Sequence, residues 1–194
     1  MPILLNRLPV STQPALLPLT AEPAGPVAAI RPDQIIAWVC LSHQDADAPP
    51  SDARRFPVVI DTGCGYPFVL HRTHLDQWLR PAVDGCLQDK LTPGSVYQRP
   101  AERFRAAIWM YRNVPGRFDL IDPAAPPVRL DVSDREGIIA SEFSDTVPAI
   151  VQGRSPVIVA RPRPPLLGMP LLKQNNLVLM VDAGRSLAKL RQRV

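Results

Sequence analysis

The chain is poor in several things that narrow its function before any motif is considered. Its 194 residues include only 10 glycines, 3 cysteines and 3 histidines, and aromatics make up 6%. Cys40, Cys64 and Cys86 contain no C-x-x-C pair, and an odd count suits neither a disulfide framework nor a zinc knuckle, so a reducing compartment is expected. No apolar run approaches the ~18 residues of a membrane span. Met1 to Leu19 lacks a basic leader region, is cut by Pro2, Pro9 and Pro14, and ends in no small-residue cleavage site; a cytoplasmic location without a membrane partner is expected.

Charge of one sign is not massed anywhere. Lys and Arg number 22 against 18 Asp and Glu, a net +4, but the arginines are scattered among carboxylates and no basic run is interleaved with aromatics. The basicity therefore reads as solubility, and no nucleic-acid partner is expected. Serine-nucleophile chemistry finds no G-x-S-x-G to support it. His71 and His74 lie three apart without an acidic cluster at ligand spacing, and Asp45-Ala46-Asp47 lacks the glycine and glutamate of a calcium loop, so no metal or other cofactor is expected.

What the chain does have is proline. There are 24, with 46% hydrophobic and 21% charged residues; proline usage is more than twice the ordinary ~5%. That balance buries a core, while the prolines break helices and favour short strands joined by loops. Length allows one medium domain. Residues 1–30 carry six prolines and no sustained period, so they are expected as a proline-rich arm or tail, although Ile3, Leu4 and Leu5 suit an edge strand. Residues 31–194 form the expected domain.

Within it, strands are expected at Ile35 to Leu41, Phe56 to Ile60, Pro67 to His71, Arg103 to Tyr111, Val128 to Val132, Gly137 to Ala140 and Ser155 to Ala160. Ile108 and Met110 fall on one face of their strand, and Ala107, Trp109 and Tyr111 on the other. A helix capped by Thr73 is expected over Arg72 to Leu79. A second helix follows at Met169 to Asn176, then a strand from Leu177 to Val181, a turn at Asp182-Ala183-Gly184-Arg185 and a return over Ser186 to Leu190. Arg161-Pro162-Arg163 reads as a solvated loop. The pattern is mainly β with one or two short helices.

The informative segment is Val58-Val59-Ile60-Asp61-Thr62-Gly63. A buried apolar strand delivers a carboxylate into a turn, where it must be satisfied. Gly63 lets backbone amides approach Asp61, and Thr62 offers a hydroxyl. Taken alone, this is a strand ending in an Asx turn.

Together with Leu166-Leu167-Gly168, the segment resembles the paired markers of the retropepsin-like aspartic proteases. These are single-lobe enzymes with a D-[ST]-G turn and a later pair of apolar residues before glycine. The resemblance covers Phe56 to about Arg191. It implies a closed β-barrel lobe in which the Leu166–Gly168 strand threads beneath the turn, with glycine where two backbones meet. It assigns catalysis to Asp61, Thr62 and Gly63, and substrate contacts to Cys64, Gly65 and Tyr66 and to a flap tip at Pro93-Gly94. One such turn per chain implies a homodimer in which two Asp61 carboxylates activate a water against a peptide bond. Viral members carry an acidic residue and an arginine that pair where this chain has Gly65 and Met169, so both partners are absent together. The competing expectation is a non-catalytic dimerisation or peptide-binding module.

Cys64 occupies a place where the family often has serine, a better donor toward the catalytic carboxylate. Weaker donation stabilises the ionised pair less, so the activity optimum is expected closer to neutrality than in serine-bearing members. A Cys64→Ser protein should then show an optimum displaced toward acid, and an unchanged pH–rate profile would contradict this.

Overall fold

The computed structural model describes residues 3–10, 15–18, 27–31, 33–75, 87–91, 102–117, 119–132, 138–141, 144–149 and 157–193. The architecture is mainly β, with a curled half-barrel sheet and few short helices. Sixteen strands are present among these residues, β1 (Ile3–Pro9), β2 (Ala15–Pro18), β3 (Val27–Ile30), β4 (Ile35–Ser42), β5 (Phe56–Asp61), β6 (Phe68–His71), β7 (Leu87–Leu91), β8 (Glu102–Phe104), β9 (Ala107–Tyr111), β10 (Val128–Leu130), β11 (Ile138–Ser141), β12 (Ser144–Ala149), β13 (Val157–Pro162), β14 (Leu166–Gly168), β15 (Leu177–Asp182) and β16 (Leu187–Gln192). Helix α1 is Arg72–His74 and α2 is Met169–Gln174.

The main sheet has nine strands in the order β10-β9-β4-β5-β14-β6-β11-β8-β7. Strands β4 and β9, toward the β10 end of the sheet, are buried on both faces. Along β4 and β9, alternate residues Ile35, Ala37, Val39, Leu41, Ile108 and Met110 enter the principal core. Their neighbours Trp38, Cys40, Ala107, Trp109 and Tyr111 form a second cluster on the opposite face, packed against Ala53 and Ile121. The period of two thus buries both sides of the sheet. Polar tips on the second face are satisfied, with Trp109 Nε1–H donating to Ser42 Oγ at 2.8 Å, Tyr111 Oη and Cys40 Sγ 3.3 Å apart, and Arg55 lying 4.8 Å over the Tyr111 ring.

A separate sheet, β1-β16-β15, joins the two ends of the chain. Of the first thirty residues, Ile3–Pro9 therefore docks as an edge strand, and Ala15–Pro18 pairs with Val27–Ile30. Leu4, Leu5 and Leu8 are at most 1% exposed, a burial that contributes roughly 5 to 9 kcal/mol before entropy is subtracted. The ladder with β16 is irregular between Leu5 and Leu8, where Arg7 adopts φ 49°. Buried Asn113 fixes this strand, accepting from the Asn6 amide at 2.9 Å and donating to the Val114 carbonyl at 2.8 Å.

Three local expectations are corrected. The strand expected from Arg103 to Tyr111 breaks at Arg105-Ala106 into β8 and β9, which occupy distant places in the same sheet. Helix α1 is capped by His71, whose Nδ1 accepts from the Thr73 amide at 3.1 Å, so Thr73 lies inside the first turn; Asp76 to Leu79 lie outside the described residues. The sheet curls through a half-barrel and keeps β10 and β7 as edges among the described residues, rather than closing on itself.

His74, 1% exposed, gives the fold a pH dependence. Burial, and after it the neighbouring His71, hold its imidazole down to about 3. The folded chain keeps this ring neutral while the unfolded chain protonates it near pH 6.5, so stability falls as pH drops from about 6.5 toward 3. The loss by pH 4.5 amounts to about 2 to 3 kcal/mol from this group. Chemical denaturation at pH 7 and 4.5 should show that difference reduced by about this amount in His74→Gln; an equal pH dependence in both proteins would refute it.

Candidate active site

Strand β5 carries Asp61 out of the core. Val58, Val59 and Ile60 are buried, Asp61 is half-buried, and Thr62 and Gly63 are exposed. The strand stops there because the chain turns: the Cys64 amide donates to the Asp61 carbonyl at 3.1 Å, and the Gly63 amide donates to Asp61 Oδ1 at 2.9 Å. The carboxylate is therefore oriented by its own turn. A Cβ at position 63 would stand 3.3 Å from that same Oδ1, so the missing side chain keeps the approach open.

The turn is supported from below by β14. This strand runs parallel to β5, with Leu166 beside Val59, Leu167 beside Ile60 and Gly168 beside Asp61, and antiparallel to β6. It thus lies between β5 and β6, two strands consecutive in sequence, with the Asp61 turn bridging over it. The Gly168 amide donates to the Pro67 carbonyl, and the Val59 amide to the Pro165 carbonyl. Gly168 has φ −94°, which any residue adopts. What demands glycine is space, since a Cβ there would stand 2.0 Å from the Tyr66 carbonyl oxygen and 2.8 Å from that of Cys64.

Cys64 is buried, and its Sγ donates to the Tyr66 carbonyl at 3.5 Å. Burial pushes its thiol up, with the Asp61 charge adding to the effect, which suits a protonated, inert side chain. Gly65 is exposed with open space around it, and Tyr66 is half-buried. Pro93 and Gly94 lie outside the described residues, in the connection between β7 and β8, which pair antiparallel.

A groove of about 300 Å³ opens beside Asp61 and Thr62, and Arg31, Asp33, Gln34 and Arg163 also line it. Sequence reasoning missed these four. Arg163, expected in a solvated loop, lines the groove. The signal for the others is register: Ile35 pairs with Ile60, so the residues preceding β4 arrive next to the Asp61 turn. Gln34 Oε1 accepts from the Arg31 amide at 2.7 Å, closing a turn in which Asp33 takes φ 63°.

Comparison with known proteins identifies no relative. No family, no curated protein and no solved structure matches the chain. Among the described residues, no helix is long and apolar enough to cross a membrane.

Close packing under the turn gives a direct test. Gly168→Ala should destabilise the protein by at least about 3 kcal/mol, because the colliding atoms are backbone and have nowhere to move. Gly65→Ala, in the same loop but in open space, should stay within about 0.5 kcal/mol of wild type. Equal urea midpoints for the two variants would show that the crossing is looser than described.

Proposed function

We propose that this chain is a retropepsin-like aspartic endopeptidase, active as a homodimer, in which Asp61 from each subunit supplies one half of an acid–base pair. The observation that carries the reading is the threading of β14 between β5 and β6, with Gly168 opposite Asp61. That arrangement places a carboxylate at the end of a buried strand, anchored by the Gly63 amide and facing a groove. Each chain offers one Asp-Thr-Gly turn, and two such carboxylates brought together around a symmetry axis would share one proton.

The chemistry then follows. The unprotonated Asp61 takes a proton from water as that water attacks the peptide carbonyl, and the protonated Asp61 donates to the carbonyl oxygen. Collapse of the resulting diol, with proton transfer to the nitrogen, releases the amine and the acid. Thr62, exposed beside the carboxylate, is the side chain placed to brace the opposing subunit, and Gly63 shapes the turn.

The terminal sheet supports a dimer. Strand β15 is its outer strand among the described residues, and Met180 and Val181 on it are 49% and 55% exposed. An unpaired apolar edge is a liability unless another strand covers it, and an antiparallel copy of itself needs no second surface. Helix α2 joins this strand directly to Gly168 beneath the active-site turn.

Purified wild type and Asp61→Asn should be compared on a peptide library between pH 4 and 7, with a general aspartic-protease inhibitor as control. Wild type should cleave, the inhibitor should stop it, and Asp61→Asn should lose at least about a thousandfold in rate. Cleavage by both proteins would exclude this chemistry; cleavage by neither would favour a peptide-binding module built on the same lobe. Sedimentation should show a dimer that Val181→Lys converts toward monomer with parallel loss of activity.

A further inference from the structure

We infer that Gln34 is a substrate-binding residue whose carboxamide N–H groups donate to a main-chain carbonyl of a peptide lying along the groove beside Asp61. The inference rests on the protease reading for the ligand being a peptide, and on the turn ahead of β4 for the donor. Gln34 directly precedes Ile35, Asp61 directly follows Ile60, and Ile35 and Ile60 are paired. Carboxamide and carboxylate thus leave the ladder as neighbours, and both line the groove. The Gln34 oxygen is already engaged, accepting from the Arg31 amide at 2.7 Å. Only the oxygen of a carboxamide can accept that proton, which settles the orientation of the amide group. Nε2 is left with two N–H groups for which no described residue supplies an acceptor, and it is not shut away from solvent. A half-buried side chain held at one end and open at the other is a pre-set donor, since little rotamer freedom remains to be lost on binding.

The charge of the groove selects among acceptors. Arg31 and Arg163 stand against Asp33 and Asp61, two of each sign, and both arginines already have partners. A ligand carboxylate therefore finds no surplus cation, and it meets the Asp61 charge beside the donor. A neutral carbonyl oxygen suits such a lining, because it takes an N–H without bringing a charge that must be desolvated. An extended peptide presents one at every residue. Val59 and Leu166, which are paired with each other and both line the groove, give its side chains an apolar floor. The Gln34 donor thus reads the backbone and leaves the sequence of the peptide to other contacts.

The test separates the two ends of this side chain. Gln34→Glu keeps an oxygen for the Arg31 amide and loses both donors at neutral pH, whereas Gln34→Met loses oxygen and donors together. Each is placed in an Asp61→Asn background, which removes cutting, and is titrated at pH 7 by fluorescence anisotropy. The probes are labelled, end-blocked peptides composed of Ala, Val, Leu, Phe and Ser. Gln34→Glu should bind at least about tenfold more weakly than its parent at an unchanged urea midpoint, and Gln34→Met about threefold to tenfold more weakly at a lowered one. The loss should be of the same size for peptides carrying an added Asn or Gln. Binding by Gln34→Glu equal to that of the parent, a loss confined to peptides with Asn or Gln, or no binding of any peptide by the parent overturns the inference. So does wild-type cleavage with a KM that neither substitution raises, an outcome that leaves the protease reading intact. Donor-dependent binding by a chain that cleaves nothing supports the Gln34 contact and removes the protease.

Discussion

The structure depends on one crossing of backbones. Gly168 passes so near the Cys64 and Tyr66 carbonyls that a single methyl group would overlap them. Because β14 is wedged between β5 and β6, it receives a ladder on each side, and the loop joining its neighbours is obliged to arch over it. The arch is the Asp61 turn. A carboxylate at the top of such an arch cannot sink into the core, since β14 occupies the space beneath, and cannot swing freely, since the Gly63 amide holds one oxygen at 2.9 Å. Placement of the acid is thus a consequence of strand order, and it would be lost with that order.

The same wedge organises what surrounds the acid. Pairing of β4 with β5 sets Ile35 opposite Ile60 and delivers the Arg31–Gln34 turn to one side of the groove. The approach to β14 delivers Arg163 to it as well, two residues before Pro165, whose carbonyl accepts from the Val59 amide. Beyond Gly168 the chain enters α2 at once and continues into the exposed edge of β15. Acid, groove and apolar edge are therefore successive stations of the strands that cross at one point.

How much of this the sequence disclosed depended on whether the deciding force was local. Alternation in β9 was legible because each residue reports its own face, and Ile108 and Met110 do enter the core while Trp109 and Tyr111 face the second cluster. The markers at Asp61 and at Leu166-Leu167-Gly168 were legible because glycine and carboxylate are costly in apolar strands without a reason. The break at Arg105-Ala106 was not, since neither residue is a breaker and the two halves part where β8 pairs with β11 and β9 with β4. Propensity favours Thr73 as a cap, yet His71, extended at φ −77° and ψ 143°, is the residue whose ring nitrogen reaches the Thr73 amide.

The groove was the least legible part, for a physical reason. Arg31 and Arg163 are more than 130 positions apart and neither belongs to a motif; isolated arginines in proline-rich segments read as solvent-facing on any local scale. They become neighbours of the carboxylate through two pairings at once, β4 on β5 and β14 on β5. A site made this way separates its tasks. The turn that orients Asp61 is fixed by short-range backbone bonds and by the crossing beneath it, so it tolerates little change. The rim is held by the ends of strands and carries its charge on long side chains, which can be exchanged without disturbing the ladder. Recognition can vary in such a fold while the acid stays where the backbone crossing puts it.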